Sequence, residues 1–214
     1  MKIYDISLDI SEKLPVWPGD PKIGIEKKCS IENGDICNVT SIILGVHTGT
    51  HIDAPYHFVN DGRKTDEIKI QEFIGECLVV EIDTDDFIKK EHLMDINLDG
   101  IEKILFKTKN SILWETKVEE FNENFISLDL SAAEYLVNKG IKLIGVDYLS
   151  IEGFFSKDAI VHKTLLGNNI IVVEGLNLFG IESKKYELIC LPIKLVACDG
   201  SPARVILKEI QEKK

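Results

Sequence analysis

The chain has 214 residues, of which 44% are hydrophobic and 29% are charged, and its formal net charge is −11. This length and composition are typical of one globular domain with a substantial core. The excess of acidic residues repels nucleic-acid phosphates and anionic lipids, so we expect neither as a partner. We find no apolar run long enough to cross a membrane and no signal peptide at Met1, and we therefore expect a cytoplasmic protein.

The cysteines support the same expectation about location. There are five of them, an odd number, and none forms a Cys-x-x-Cys pair. This usage predicts reduced, mostly buried thiols without a redox role. They lie at positions 29, 37, 77, 190 and 198.

Apolar alternation and β-branched runs predict nine strands in chain order. They cover residues 3–8, 23–29, 38–46, 77–82, 101–107, 141–146, 170–173, 186–197 and 202–210. Helices are predicted as a short piece near 71–73, a surface helix within 83–99, a helix opened by a capping box at 131–134, and a helix that Asp158 caps and that stops near Gly167. Strands outnumber helices, and hairpin spacings alternate with helical crossovers. The pattern predicts an α/β fold with a mixed β-sheet and flanking helices, in a single domain covering residues 1–214.

Two segments between these elements contain tryptophan. Residues 11–21 are punctuated by prolines and predict a stiffened loop carrying Trp17, whose generic interpretation is a plug at one end of the core. Residues 109–124 are polar, and we interpret them as a long surface excursion that includes Trp114. His92, in a charged stretch, is interpreted as a solvated side chain.

Three of the five histidines fall within residues 47–58, together with an aspartate. His47, His51 and Asp53 are all odd-numbered, so an extended chain points them to one face. Gly49 lies between the histidines, and we expect the chain to bend there, because glycine adopts positive φ without strain. Imidazole and carboxylate groups are the ligands that zinc and similar divalent metals prefer. The cluster predicts a metal site.

Two downstream residues are candidates for further metal ligands. His162 lies on a predicted helix, and Glu174 follows four apolar residues immediately before a glycine. An unpaired carboxylate there would be costly to bury. Alternatively, His162 lies on a surface helix and Glu174 is solvated. Asp147, at the end of a predicted strand, either hydrogen-bonds a ligand histidine or caps the next turn.

The pattern His-x-Gly-Thr-His-x-Asp-Ala-Pro-x-His-Phe at residues 47–58 resembles the signature of the cyclase family of metal-dependent hydrolases. That family includes the bacterial arylformamidases (kynurenine formamidases) and the isatin hydrolases, and the resemblance extends to Asp199–Arg204. It implies a swivelling β/β/α domain, a homodimer or larger homo-oligomer, and two divalent ions, with zinc expected first and manganese second. In the implied arrangement His47, His51 and Asp53 bind one ion, His162 binds the other, and Asp53 and Glu174 bridge them.

His57 lies past the Pro55 turn, outside the ligand triplet, and we assign it as a general base and then acid. Trp17 lies in a Trp-Pro-Gly-Asp loop that is similar to the family loop whose tryptophan covers an aromatic substrate. The expected function is hydrolysis of a small amide such as an aryl formamide of the N-formylkynurenine kind by a metal-activated water. The alternatives are hydrolysis of a cyclic amide or lactone, as in isatin hydrolases, or metal and small-molecule binding without catalysis.

Overall fold

A mixed β-sheet of eight strands lies at the centre of the computed structural model, which describes residues 1–210. In spatial order its strands are β1 (Ile3–Asp5), β12 (Gly200–Glu209), β11 (Lys185–Pro192), β5 (Ile74–Glu81), β7 (Lys103–Lys107), β9 (Leu143–Val146), β10 (Ile171–Glu174) and β4 (His51–Asp53). Strands β5, β7, β9 and β10 run parallel, and the other neighbouring pairs are antiparallel. Strand β4 also pairs with β12, so the sheet closes on itself.

The strand residues alternate between two apolar cores, as the period of two in an extended chain requires. In β7, Ile104 and Phe106 face a core shared with the helices α3 (Leu130–Asn138) and α4 (Ile160–Gly167). Leu105, between them, joins a second core enclosed by the sheet. Because both faces are buried, the central strands read as continuous apolar runs rather than as alternating ones.

The remaining elements are short and lie around this sheet. Two separate strand pairs are the antiparallel hairpin of β2 (Gly24–Cys29) with β3 (Val39–Ile43) and the parallel pair of β6 (Phe87–Ile88) with β8 (Ser127–Leu128). Two more helices are α1 (Lys90–Leu93) and α2 (Ser111–Glu115), and 3-10 turns cover Ile31–Asn33, Pro55–His57, Thr65–Glu67 and Ile70–Phe73.

The structure confirms the predicted α/β class with a mixed sheet and flanking helices, although residues 211–214 of the predicted domain lie outside the described part. All nine predicted strands are present with shifted ends, whereas β4, β6, β8 and α2 were not predicted. Within residues 1–210, no helix has the length and apolar character that a bilayer span requires. All five cysteines are free, and burial raises the pKa of Cys77 and of Cys190 to about 12, which makes both thiols unreactive.

The predicted N-terminal caps of both major helices are wrong. Helix α3 begins at Leu130, and the carboxylate of Asp129 accepts a hydrogen bond from the Ala132 amide at 2.9 Å, so Asp129 caps the helix instead of Ser131. Helix α4 follows Ala159, which has a φ of 49° and no side-chain cap, so Asp158 does not cap it.

The prediction that residues 109–124 form a surface excursion is wrong in part, because most of the segment is exposed but Asn110, Ser111 and Trp114 are buried. The segment contains α2, and Trp114 on that helix is only 9% exposed. Its Nε1 donates a hydrogen bond to the Asp147 carbonyl oxygen at 2.9 Å, and its ring stacks on Tyr148 with centroids 5.5 Å apart. Tryptophan and tyrosine bury large areas, so these contacts fold the polar segment against the end of β9.

Asp147 caps the turn between β7 and α2 rather than the turn that follows it in the chain, and within the described residues it forms no hydrogen bond with a histidine. Its carboxylate accepts hydrogen bonds from the backbone amides and side-chain hydroxyls of Thr108 and Ser111, at 2.6–3.1 Å. His92 is half-buried, and its Nδ1 accepts a hydrogen bond from the Lys89 amide at 3.0 Å, which closes the first turn of α1.

Candidate metal centre

Strand pairing brings three of the five candidate ligands together. His51 and Asp53 occupy alternate positions of β4 and therefore share a face. In the antiparallel register with β10, Glu174 lies directly opposite His51. The Glu174 carboxylate therefore reaches the same face from the neighbouring strand, as expected for directly opposed residues.

The approach to β4 depends on two glycines. Gly49 has a φ of +64°, which confirms the bend predicted between His47 and His51. Gly175 has a φ of +67°, and a Cβ atom at this position would collide with the Gly49 carbonyl. The glycine that follows Glu174 thus permits the close contact between the two segments.

The bend allows His47 to join the strand residues. Its Nδ1 lies 2.8 Å from Asp53 Oδ1, and His51 Nε2 lies 3.5 Å from the same oxygen. The ligand atoms of His47, His51 and Asp53 all fall within 4.8 Å of one another, which is a spacing that can hold one metal ion.

A second group shares Asp53 with the first. His162 Nε2, from α4, lies 3.3 Å from Glu174 Oε1 and 3.8 Å from Asp53 Oδ2. The other Glu174 oxygen, Oε2, lies 3.2 Å from His51 Nε2. Asp53 and Glu174 therefore each face His51 with one oxygen and His162 with the other. Asp53, His162 and Glu174 form a second set with metal-ligand spacing.

The donor atoms of this cluster fit a divalent metal. Within the described chain, His51 Nε2 and Asp53 Oδ2 are buried without a hydrogen-bond partner, although both side chains are only 1% exposed. Buried polar atoms are almost always satisfied, and leaving one unpaired costs about 1–3 kcal/mol. His51 Nδ1 hydrogen-bonds the Gly49 carbonyl at 2.9 Å, so Nε2 is the nitrogen left for a ligand bond.

Two further carboxylates, neither of which was predicted as a site residue, hold the outer nitrogens of His162 and His47. Glu152 Oε2 lies 2.8 Å from His162 Nδ1 and also accepts from the His162 amide at 3.1 Å. Asp199 Oδ2 lies 2.8 Å from His47 Nε2. Carboxylates in this position fix the ring orientation of metal-binding histidines. Glu152 and Asp199 both precede a glycine, as Glu174 does, which is the one local signal they share.

The density of carboxylates decides the protonation of the metal-free cluster. Burial alone would lower the histidine pKa values, but the charge of Asp53 and the hydrogen bonds that His47 donates to Asp199 and Asp53 raise the pKa of His47 to about 9. Burial likewise lowers the pKa of His51 and of His162, but the negative charges of the neighbouring Asp53 and Glu174 raise both pKa values to about 10. The hydrogen bond from His47 lowers the pKa of Asp199 to about 2. A divalent ion would replace these protons, because histidine binds metal in its neutral form.

His57 differs from the other histidines of the cluster. It ends the 3-10 turn Pro55–His57, its ring stacks on His47 with centroids 4.0 Å apart, and its Nδ1 lies 3.3 Å from Asp199 Oδ2. Its side chain is 27% exposed. Burial lowers the pKa of His57 below the ordinary 6.5, against the opposing charge of Asp53, so the imidazole is neutral at neutral pH. Its ligand atoms also fall within metal-binding distance of His47 and Asp199.

A cavity of about 270 Å³ opens onto the cluster. Its wall includes His57, His162 and Glu174 together with the aromatic rings of Trp17, Phe58 and Phe154. Trp17 packs against Phe121 and Phe154, each with ring centroids 5.2 Å from the indole. Trp17 is therefore both a cavity wall and a member of an aromatic cluster. Phe121 belongs to the segment 109–124, which was predicted to lie on the surface.

A closed mixed sheet with a histidine and carboxylate cluster beside an aromatic cavity defines the class of metal-dependent hydrolases. Comparison with known proteins supports this class. A family model described as cyclase matches residues 4–153. A kynurenine formamidase from Bacillus cereus is 35% identical over 206 residues, covering 96% of this chain and 97% of the relative.

Solved structures agree with the sequence comparison. A predicted metal-dependent hydrolase from Bacillus stearothermophilus is 34% identical, with a TM-score of 0.81, and the match covers 96% of this chain and 97% of that one. Isatin hydrolase A from Labrenzia aggregata, bound to benzyl benzoate, is 21% identical and shares the fold, with a TM-score of 0.84 and coverage of 96% and 93%. The chain belongs to the cyclase family and is an enzyme of the hydrolase class.

Proposed function

We propose that this enzyme hydrolyses an aryl formamide, with N-formylkynurenine-like amides as the substrate class. The observation that carries the proposal is the convergence of five ligand side chains on one face beside an aromatic cavity, with buried donor atoms left unpaired. Support also comes from the kynurenine formamidase relative, whose similarity extends over nearly the whole chain.

The proposed cofactor is a pair of divalent ions, zinc first and manganese second. His47, His51 and Asp53 would hold one ion, and His162 would hold the other. Asp53 and Glu174 would bridge the pair, since each turns one oxygen toward His51 and one toward His162. Such ions, when bound, make water more acidic and polarise a carbonyl oxygen.

The proton transfers are assigned to His57. It faces the cavity, it is neutral at neutral pH, and Asp199 orients its Nδ1. His57 would take a proton from the attacking water and deliver it to the departing aryl nitrogen when the C–N bond breaks. The products are formate and an aryl amine. His57 can accept the proton only if it is not itself a ligand.

Trp17 is proposed to bind the aryl group of the substrate. Its indole lines the cavity and packs against Phe121 and against Phe154, which is also a lining residue. A ring held in this way loses little freedom when a substrate stacks on it. An aromatic pair of this kind contributes about 0.5–1.5 kcal/mol beyond area burial.

The proposed function is tested with protein that has been stripped by a chelator and reloaded with zinc. We expect the stripped protein to be inactive and the reloaded protein to release formate from formanilide, with about two equivalents of metal by elemental analysis. A lactam and a lactone serve as comparison substrates, because metal-assisted attack on them needs no formyl group. Inactivity on formanilide after reloading, at full metal content, would exclude the formamidase function.

We also propose a homodimer or larger homo-oligomer. The β2–β3 hairpin is separate from the main sheet, and its directly opposed side chains Ile25 and Ile42 share one face and are 39% and 58% exposed. An apolar patch of this kind on a strand pair is typical of a surface that another copy covers. Sedimentation at micromolar concentration is expected to give at least twice the 24.1 kDa of one chain, and a monomer would contradict the proposal.

The proposed location is cytoplasmic. The five cysteines are free, and Cys77 and Cys190 lie unbridged in the core of the sheet. Free thiols persist in a reducing compartment. Cell fractionation would check the location.

A further inference from the structure

The cavity contains one charged side chain that the metal cluster does not use. Apart from the three histidines, its ionisable lining residues within residues 1–210 are Asp20, Glu152 and Glu174. Glu174 belongs to a ligand set, and Glu152 is committed to His162 and to the Ser156 hydroxyl. The carboxylate of Asp20 has no hydrogen-bond or ion-pair partner in the described chain.

No lysine or arginine among residues 1–210 lines this cavity. The lysines within two residues of a lining residue are Lys22, Lys157 and Lys163, and all three are exposed and lie outside the wall. The net charge of −11 adds to the negative potential at the entrance. Apart from the histidines and the ions proposed to bind them, this wall offers a substrate carboxylate no cationic partner, whereas an ammonium group would find Asp20.

The loop that carries Trp17 fixes the position of Asp20. The Asp20 amide donates a hydrogen bond to the Trp17 carbonyl at 3.0 Å, and Gly19 between them has a φ of +104°. Proline followed by a positive-φ glycine is the signature of a type II turn, in which the first and fourth residues are adjacent. The turn therefore places an indole and a carboxylate side by side on the cavity wall.

We infer that this enzyme selects aryl formamides by charge, and that Asp20 is the residue that determines this specificity. Substrates with an ammonium group on or near the ring bind best, neutral ones are intermediate, and those bearing only a carboxylate bind worst. The inference rests on the proposed formamidase function and specifies its substrate class. Asp20 contacts the substituent and leaves the reacting formyl group to the metal cluster and His57.

The test compares three substrates with the zinc-loaded enzyme: formanilide, meta-formamidobenzoate and the meta-aminomethyl derivative of formanilide. The meta substituent keeps the added charge away from the scissile bond. At neutral pH we expect KM to rise from the ammonium to the neutral to the carboxylate substrate. The ratio of the two charged substrates should be roughly tenfold, because a partly exposed charge pair changes each affinity by up to about fivefold.

Variants separate the Asp20 charge from other causes. Asp20→Asn should compress the KM ratio of the two charged substrates toward one and should change the KM of formanilide least of the three. Asp20→Lys should invert the ratio. Asp20→Glu should retain the wild-type order. Asp95→Asn is the matched control, because Asp95 is exposed and lies outside the cavity. The substitution removes the same single negative charge. Raising ionic strength from about 0.01 M to about 1 M should reduce the wild-type ratio, since the Debye length falls from roughly 30 to 3 Å.

Equal KM values for the two charged substrates would overturn the inference, and so would a proportional change in the KM values of all three substrates in Asp20→Asn. In either case turnover of formanilide would still support the proposed function. Failure to hydrolyse any of the three would instead refute the proposed function. In that case calorimetric binding of the corresponding anilines to the zinc-loaded protein decides the inference. The ammonium-bearing aniline must bind most tightly, and Asp20→Asn must remove that preference.

Discussion

His57→Ala is expected to lower the turnover of an aryl formamide by a factor of roughly 10²–10⁴, the usual contribution of a positioned general acid–base group. The metal content should stay at the wild-type value, because His57 lies outside the two sets that share Asp53. The melting temperature should change little, since more than a quarter of the side chain is exposed. Steady-state kinetics with elemental analysis of the same samples measures both quantities.

His92→Ala is the control for this experiment. His92 lies in α1, outside the cavity wall, and only closes a helical turn. Its loss should leave turnover unchanged and reduce stability by about 1 kcal/mol or less. A fall in both metal content and activity in His57→Ala would identify His57 as a ligand, as its distance to His47 and Asp199 permits. Undiminished turnover would assign the proton transfers to another group and favour a different mechanism.

The metal-binding face was predictable because most of its ligands are close together in the sequence or follow a recognisable local pattern. His47, His51 and Asp53 lie within seven residues, and the period of two in a strand together with the freedom of Gly49 determines how they converge. Glu174 was recognisable because a carboxylate at the end of an apolar strand needs a partner. The strand register then places it opposite His51.

The supporting carboxylates were not predictable in the same way. Asp199 meets His47 across 152 positions of sequence, through the pairing of β12 with β4. Glu152 meets His162 because the chain after β9 returns to the start of α4. An acid followed by glycine also occurs at Asp61 and Asp99, so the local signal does not discriminate between functional and ordinary turns.

Residues 109–124 show how tertiary contacts override a polar sequence. Their lysines, glutamates and asparagines indicated a solvent-exposed segment, yet Trp114 and Phe121 have partners far away in the chain. Tyr148 stacks on Trp114, and Trp17 packs edge-on against Phe121. Neither partner is detectable by periodicity within the segment, because a short helix that contacts the core through a single aromatic face gives no repeating pattern.

The metal-free protein is expected to lose stability as pH rises from 6.5 to 9, which is the opposite of the change expected for the zinc-loaded protein. In the metal-free protein the pKa values of His47, His51 and His162 are raised from 6.5 to about 9 or 10. A raised pKa contributes stability that is complete below pH 6.5 and is lost as pH rises through 9–10. The lowered pKa values of Glu152 and Asp199, both about 2, contribute stability above pH 4.5 that is lost as pH falls through 2. The melting temperature of the metal-free protein should therefore fall between pH 6.5 and 9.

The zinc-loaded protein should behave in the opposite way over the same window. Zinc must displace the histidine protons, so its affinity and its stabilisation increase as pH rises. At a free zinc concentration of about a thousand times Kd, binding adds about 4 kcal/mol, or about 8–16 °C in melting temperature for a chain of this size. The difference between loaded and stripped protein should therefore widen from pH 6.5 to 9. Calorimetric scans of both forms across this window measure it.

Asp53→Asn provides the control for this reversal. Asp53 takes part in both ligand sets, and asparagine keeps its shape but removes the charge that raises the pKa of His47. In this variant zinc should shift the melting temperature little, and the metal-free pH dependence should flatten. If stripped wild-type protein instead becomes more stable from pH 6.5 to 9, its histidines are already neutral there. The carboxylates would then not hold protons on the histidines, and zinc binding would release none.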